Sequence, residues 1–359
     1  MKMENAAEEK IDIRSMTLDE LTDFTVNTLG WQKYRAGQLY RWMHVRLAGS
    51  FDEMTELSKS MRAQLAQTCR LVSHKMVRRY VSKIDGTAKY LFGLDDGNVI
   101  ESVLMRYRYG LSVCISSQVG CRMGCRFCAS TIGGLVRNLT ASEMLDEIYQ
   151  IQKDVGQRVS NVVVMGTGEP FDNFDNVIRM IRILSGPDGL NISQRSITVS
   201  TCGIVPGIRD FADLGLQVTL AISLHASNDA DRQRLMPVAR RYSLTELLDA
   251  CHYYQEKTGK RLSFEYSLVS GANDSEASAR ELAGLLKGFD CHVNLIPVNP
   301  VEETGMRQPQ AQTVSRFKSV LEKNGINVTI RREMGRDISA ACGQLRKKYM
   351  SSQLSVGED

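Results

Sequence analysis

The most concentrated chemistry in this sequence lies in three cysteines. Cys121, Cys125 and Cys128 follow a Cys-x3-Cys-x2-Cys spacing, on a segment that contains Gly124 and directly follows a strand-like run. Nine cysteines placed at random would produce a preset three-cysteine pattern less than about one time in a hundred. Three thiolates on such a loop can bind three irons of a four-iron cluster. The fourth iron would then be open to the amine and carboxylate of an amino-acid cofactor.

A structural zinc site is the leading alternative for these thiols. Such a site needs a fourth ligand at short spacing. No cysteine or histidine follows Cys128 until Cys202. The spacing therefore favours an iron–sulfur cluster. Cys202, together with Cys69, Cys251 and Cys291, is expected to be a buried free cysteine, because free cysteine is usually inert core.

Small and polar residues also recur where strand-like runs end. In a barrel of parallel strands these carboxyl ends converge on one rim, where ligands bind. Glycines allow the backbone to approach a ligand closely, a carboxylate accepts hydrogen bonds from an ammonium group, and serine or asparagine suits a ribose or carboxylate. A Gly-x-Gly-Glu run taken alone is equally consistent with a simple turn, and a single histidine with a structural role. The rim residues are Gly168, Glu169, Ser200, Ser223, His225 and Asn299.

The elements that position these residues alternate between strands and helices from residue 111 onward. Capping boxes at Thr140–Glu143 and Ser243–Glu246 mark two of the helix starts. Alternation of this kind indicates a parallel sheet covered by helices. About six units predict an α/β partial (β/α)6 barrel, and an open doubly wound sheet is the structural alternative. The predicted strands are Ser112–Ser116, Asn161–Met165, Ser196–Ser200, Gln217–Ser223, Leu262–Leu268, Cys291–Pro297 and Asn327–Ile330.

The first part of the chain has a different pattern. A capping box at Thr17–Glu20 and apolar residues at helical spacing predict a small helical domain, and short strand-like runs follow it. We expect four regions. They are an N-terminal helical RNA-binding accessory domain (1–75), a β extension (76–110), the barrel (111–336) and a C-terminal tail (337–359).

Composition limits the partners and the cellular compartment that we expect for the protein. The formal net charge is +4, which permits a nucleic-acid partner without requiring one. Arginines cluster around the cysteine motif, although a solvated surface is the simpler interpretation for any single one. No apolar run approaches the ~20 residues of a membrane helix. Nine cysteines without a secretory signal predict a cytoplasmic protein with reduced thiols and no membrane association.

Longer motifs reveal a family resemblance. The chain resembles the radical S-adenosylmethionine dual-specificity RNA adenine-C2 methyltransferases over nearly its whole length, most weakly in the first hundred residues. The resemblance implies a [4Fe-4S] cluster on the three cysteines, and S-adenosylmethionine bound by Gly168, Glu169, Ser200, Ser223, Leu224, His225 and Asn299. The motifs that carry it are Cys114–Cys121, Gly134–Thr140, Gly166–Pro170, Ser223–His225, Asn294–Pro300 and Ala341–Leu345.

The same resemblance implies roles for three further residues. Cys342 accepts a methyl group from one S-adenosylmethionine, and a second molecule, cleaved at the cluster, activates that methyl for attack on the adenine. Cys114 then forms a disulfide with Cys342 and releases the RNA, while Glu101 matches the family's base. Taken without the resemblance, each cysteine is equally a buried core thiol, and Glu101 equally a solvent-facing strand residue.

The resemblance also implies the partners. They are an adenosine of large-subunit rRNA, the adenosine 3′ of the anticodon in some tRNAs, and an external electron donor such as flavodoxin or ferredoxin. We expect a monomer. Two alternatives stay open at this point: a C8 methyltransferase of the related antibiotic-resistance branch, and an iron–sulfur RNA-binding or redox-sensing protein without methyl transfer. Pro170, after Gly168 and Glu169, favours the C2 branch.

Overall fold

A computed structural model describes residues 10–299 and 305–340 of the chain. Cys342 and most of the predicted tail therefore lie outside the described residues. Within these ranges the chain forms ten α-helices and fourteen strands, besides short 3-10 turns.

The largest sheet contains ten strands. Seven of them run parallel to their neighbours, in the order β14-β13-β12-β11-β10-β9-β6, and β5, β4 and β3 continue the sheet in antiparallel fashion beside β6. This is the predicted α/β partial barrel, and the predicted β extension is part of its sheet. The strands are β3 (Lys75–Val81), β4 (Ala88–Gly93), β5 (Val99–Tyr107), β6 (Gly110–Ile115), β9 (Val159–Val164), β10 (Ile197–Thr201), β11 (Thr219–Ser223), β12 (Leu262–Leu268), β13 (Cys291–Pro297) and β14 (Asn327–Ile330).

Four shorter strands form two separate pairs. Strands β1 (Ile11–Asp12) and β2 (Cys69–Arg70) bring the two ends of the N-terminal region together. Strands β7 (Gln118–Gly120) and β8 (Leu135–Asn138) form an antiparallel hairpin around the cysteine motif.

Helices connect each parallel strand to the next one along the chain. The capping boxes predicted at Thr140 and Ser243 are both present, as is the one at Thr17. Apolar side chains on these helices and on the sheet form one continuous core. The helices are α1 (Leu18–Asn27), α2 (Tyr34–His44), α3 (Lys59–Thr68), α4 (Ala141–Val155), α5 (Phe174–Ser185), α6 (Val205–Asp213), α7 (Asp229–Leu235), α8 (Leu244–Thr258), α9 (Glu276–Leu285) and α10 (Ala311–Lys323).

A buried ion pair attaches the N-terminal helices to the barrel. Arg14 Nη1 donates to Asp146 Oδ1 of α4 at 2.6 Å, and both side chains are 1% exposed. Arg14 also donates to the backbone carbonyls of Val72 and Ala48. Because one buried cation binds three separate segments, its position fixes how the N-terminal region sits on the barrel.

None of the helices in the described ranges is long and apolar enough to cross a membrane.

Candidate cluster and cofactor site

The cysteine motif lies on a loop closed by the β7–β8 hairpin. Cys121 donates its backbone N–H to the carbonyl of Gly134 at 3.2 Å. Gly120 has a φ of +76°, and a Cβ there would lie 2.0 Å from the Gly134 oxygen. Only glycine fits this position, because both the backbone conformation and the close approach exclude a side chain. The hairpin was not predicted from sequence.

Polar side chains tie this loop to the end of strand β9. Gln118 donates to Asn138 at 2.8 Å and to Asp172 at 2.9 Å, and its amide oxygen accepts from the Glu169 backbone N–H at 2.8 Å. Arg122 forms an ion pair with Asp172. The cysteine loop is therefore held against the rim of the sheet.

The three motif thiols line one cavity of about 160 Å³. Cys121 and Cys125 are buried, and Cys128 is half-buried. Burial raises the pKa of Cys121 to about 12 and that of Cys125 well above its ordinary value, and the neighbouring Cys128 sulfur acts in the same direction on both. Positive charge from bound iron would stabilise the thiolates that this environment otherwise disfavours.

The residues present fit a four-iron cluster. All three thiols lie on the wall of the same cavity, on a loop that leaves one side open to the rim residues. Among the described residues, no three His, Cys, Asp or Glu side chains are arranged to hold a single metal ion. A cubane does not require such convergence, because each thiolate binds a different iron.

Cys202 lies against the same site. As expected it is buried, and it packs with Cys125, Leu235 and Met236. Burial raises the pKa of its thiol well above the ordinary value, and the negative charge of Glu169 adds to this effect. These surroundings are those of a packing residue beside the cysteine loop.

The rim residues predicted from strand ends all meet at this cavity. Gly168, Glu169, Ser200, Ser223, His225 and Asn299 all line it. Leu224, which only the family resemblance suggested, is fully buried in the apolar core instead.

Glu169 is anchored by the backbone around it. Its two carboxylate oxygens accept from the N–H groups of Phe171 at 3.0 Å and Cys202 at 2.7 Å. Burial raises its pKa, although these hydrogen bonds oppose the shift. Gly168 has a φ of +112°, and a Cβ there would lie 2.7 Å from the Gln118 Cβ. The turn therefore brings bare backbone and a fixed carboxyl group to the cavity wall.

His225 lines the cavity and also holds the neighbouring backbone in place. Its φ is +58°, and its Nδ1 accepts from the Ser267 backbone N–H at 2.9 Å. Burial lowers its pKa to about 3, with a further contribution from the Arg232 charge. The imidazole is therefore neutral at physiological pH, and its edge packs against Phe127 with ring centroids 4.7 Å apart.

Cys114 lines a second cavity of about 80 Å³ next to the first. Four residues border both cavities, so they form a common wall: Met165, Ile296, Asn299 and Arg331. Cys114 is opposite Val103 in the β5–β6 ladder. The structure thus places Cys114 one side chain away from the cofactor rim but not on it.

Glu101 lies on β5, in the same part of the sheet. It is buried, and its Oε1 is 3.7 Å from Lys89 Nζ of β4. The Glu101 carbonyl accepts from the Ser116 hydroxyl at 2.8 Å. Glu101 therefore does not lie on the solvent-exposed face of the sheet. Cys342 lies outside the described residues, so its position relative to Cys114 and Glu101 stays a prediction.

Sequence reasoning missed a polar group inside the barrel. Glu265 of β12 lines the first cavity, where Asn294 Nδ2 donates to it at 2.9 Å and Arg331 Nη1 lies 3.7 Å away. Burial raises the Glu265 pKa, and the Arg331 charge opposes this. The only charged residue within the strand-like run Leu262–Leu268 is this glutamate, and it was the available signal.

A three-thiol loop above the carboxyl ends of a partial barrel defines the class: this chain is a radical S-adenosylmethionine enzyme. Residues 115–283 match the model of the radical SAM superfamily. Residues 11–71 match the "Ribosomal RNA large subunit methyltransferase N-terminal domain".

Curated relatives and a solved structure specify the family. The chain is 61% identical over 341 residues to the "Probable dual-specificity RNA methyltransferase RlmN" of Lachnoclostridium phytofermentans, which covers 95% of this chain and 96% of that protein. It is 62% identical to the protein of the same name from Lachnospira eligens, over 94% of this chain and 97% of that one. A radical SAM methyltransferase structure from Sphaerobacter thermophilus is 46% identical and superposes with a TM-score of 0.90 over 94% of this chain and 100% of that one. The chain belongs to the RlmN family of dual-specificity RNA methyltransferases.

Proposed function

We propose that this protein methylates C2 of adenosine in RNA, both in large-subunit rRNA and next to the anticodon of some tRNAs. The structural observation that carries the proposal is the common wall between two cavities. One cavity holds the cluster thiols and the predicted cofactor residues, and the other holds Cys114. Relatives above 60% identity that bear the name dual-specificity RNA methyltransferase support methyl transfer to more than one RNA.

Cys121, Cys125 and Cys128 would hold the [4Fe-4S] cluster. When bound, the cluster supplies the electron that cleaves S-adenosylmethionine. Glu169 and the backbone at Gly168 line the cavity and would bind the amino-acid part of the cofactor, while Ser200 and Asn299 would bind its ribose or carboxylate. We propose that two S-adenosylmethionine molecules are used in each turnover, one as methyl donor and one as radical source.

The remaining steps use residues of this chain. The Cys342 sulfur takes the methyl group. The radical derived from the second S-adenosylmethionine would remove one hydrogen atom from that methyl, and the resulting carbon radical would add to C2 of the adenine. The adduct would then lose one electron to the oxidised cluster, together with the C2 proton. The Cys114 thiolate then attacks the Cys342 sulfur. A sulfur–sulfur bond forms, the sulfur–carbon bond breaks, and its electron pair moves to the carbon, which takes a proton to become the methyl of the product. Glu101 would remove the proton originally on C2.

Partners and setting follow from the same proposal. An external reductant such as flavodoxin or ferredoxin supplies the electrons, and the protein acts as a cytoplasmic monomer. The N-terminal helices (1–75) would serve as an RNA-binding accessory domain, the strands of 76–110 as an extension of the sheet, 111–336 as the catalytic barrel and 337–359 as the tail that brings Cys342 to the site.

Nucleoside mass spectrometry tests the proposed function. Anaerobically reconstituted protein, reductant, methyl-labelled S-adenosylmethionine and rRNA or tRNA from a strain lacking the gene should give 2-methyladenosine. The Cys125→Ala protein should give none. Label found in 8-methyladenosine would identify the C8 reaction instead, and no label in RNA would refute the proposal.

A further inference from the structure

The turn between β5 and β6 carries a pair of stacked tyrosines. Their ring centroids are 4.9 Å apart and the ring planes differ by 6°. Tyr109 is 70% exposed, and Tyr107 is 37% exposed. Two parallel rings of this kind present a flat aromatic face to solvent. We call the segment 106–110 the tyrosine hairpin.

The tyrosine hairpin has a fixed position. Tyr107 is opposite Gly110 in the ladder, so only two residues form the turn. Gly110 has a φ of +129°, and a Cβ there would lie 2.4 Å from the Ser160 hydroxyl of β9. Because the turn is short and closely packed on the neighbouring strand, the aromatic face is held in place before any partner binds.

The hairpin borders the cavity that holds Cys114. Tyr107, Met105 and Val103 alternate along β5 and all line that cavity. Cys114 is opposite Val103, four residues from Tyr107, which corresponds to about 13 Å along the strand. If the target adenosine reaches Cys114, adjoining nucleotides must leave the cavity, and the hairpin is at its edge.

The charges around the hairpin suit a polyanion. Arg108 lies between the two tyrosines in the turn and is exposed, whereas Arg106 donates to Gln157 at 3.4 Å. Two arginines, Arg331 and Arg332, and one acidic residue, Glu333, line the same cavity, so the charge there is positive on balance. Arginines combined with exposed aromatic rings are typical of surfaces that bind single-stranded nucleic acid, where phosphates pair with the cations and bases stack on the rings.

A docking site for the protein reductant is the competing use of this surface. A reductant must approach the cluster thiols, which line the first cavity, whereas Tyr107 lines the second. The position beside Cys114 therefore favours the RNA.

We propose that the tyrosine hairpin is a base-stacking platform, on which Tyr109, supported by Tyr107, binds an unpaired nucleotide next to the target adenosine. This inference rests on the proposed function, because it assumes an RNA substrate.

Binding of a synthetic RNA stem-loop with the target adenosine in its loop tests the platform, with fluorescence anisotropy as the readout. Tyr109→Ala should weaken binding about tenfold, whereas Tyr109→Phe should bind as the wild type does because it keeps the ring. Tyr253→Ala, which removes a tyrosine on the outer helix α8, is the matched control and should not change the affinity. Circular dichroism shows that each variant is folded.

A double-mutant cycle separates stacking from charge. Replacing one flanking nucleotide by an abasic linker should weaken wild-type binding but have no additional effect on Tyr109→Ala. Arg108→Ala should reduce the log–log salt slope by about 0.7, whereas Tyr109→Ala should leave that slope unchanged.

Three results would overturn the platform. The first is equal RNA affinity for the wild type and Tyr109→Ala. The second is that the losses of RNA affinity from Tyr109→Ala and from an abasic linker add up at every flanking nucleotide position. The third is that flavodoxin reduces the Tyr109→Ala protein more slowly than the wild type while the variant still binds RNA normally. That result would assign the surface to the reductant. If the wild-type protein forms 2-methyladenosine, any of these results refutes only the platform. If the wild-type protein forms no 2-methyladenosine, the proposed function is refuted as well.

Discussion

Glu101 and Cys114 lie on the same face of the sheet, on adjacent antiparallel strands. Val103 is opposite Cys114, so Glu101 is its diagonal neighbour. Diagonal residues of this kind are about 7–8 Å apart. The candidate base and the candidate resolving thiol therefore lie on the same side of the sheet.

Replacing Glu101 tests its role as a base. Glu101→Gln keeps the shape of the side chain but cannot accept a proton, so RNA methylation should fall by about 10²- to 10⁴-fold. Methyl transfer to the protein should continue, because that step does not involve the adenine. Methyl-labelled S-adenosylmethionine measures the two steps, because the label in the protein and the label in the RNA can be counted separately.

Glu322→Gln is the control for this change. Glu322 is on the outer helix α10, where it pairs with Lys318 at 3.2 Å, and its loss should alter neither count. RNA methylation by Glu101→Gln at the wild-type rate would show that another group removes the proton.

The three cluster thiols should be needed for the cluster but not for folding. Changing Cys121, Cys125 and Cys128 to Ala should remove the brown colour and the cleavage of S-adenosylmethionine, while the protein stays folded. The wild type should bind about four irons per chain after anaerobic reconstitution. Cys251→Ala, which alters a buried thiol of α8, should retain both iron and colour. Native protein that contains zinc and no sulfide would contradict the cluster.

Breaking the Arg14–Asp146 ion pair should strongly destabilise the protein. Asp146→Ala leaves a buried guanidinium without its partner, which should cost about 3–5 kcal/mol in the free energy of unfolding. The double variant Arg14→Met, Asp146→Leu should recover much of this loss, because it buries no charge. Urea unfolding followed by circular dichroism measures both. A single-variant loss below about 1 kcal/mol would show that the pair is not needed to hold the N-terminal region.

Regular elements were predictable because their signals are local. Strands β12 and β13 have the predicted bounds, Leu262–Leu268 and Cys291–Pro297. Three capping boxes also begin helices where expected. In both strands apolar residues alternate with polar ones, which is a local strand signal, and a capping box needs only four adjacent residues. Neither signal depends on distant parts of the chain.

The rest depended on distant contacts. The β7–β8 hairpin has strands of only three and four residues, and it exists because Gly120 meets Gly134 across the cysteine loop. The Glu265–Arg331 contact joins residues far apart in sequence. Leu224 lies between two rim residues, directly after β11, and its side chain packs in the apolar core.

The two special cysteines should act at opposite ends of the reaction. Cys342→Ala should bind S-adenosylmethionine but form no bond with RNA, because it has no sulfur to carry the methyl. Cys114→Ala should stop at a covalent protein–RNA species, because no thiol remains to displace the Cys342 sulfur. Each change should cost only about 1 kcal/mol in stability. Cys291→Ala, which removes a buried thiol of β13, should turn over normally.

Peptide mass spectrometry of nuclease-treated Cys114→Ala protein, incubated with reductant, S-adenosylmethionine and RNA, is the most direct test of this division of roles. We expect an adenosine nucleotide linked through one carbon to the peptide that contains Cys342, and none on Cys342→Ala protein. A Cys114→Ala protein without any adduct, or an equal adduct on the Cys342→Ala protein, would contradict it.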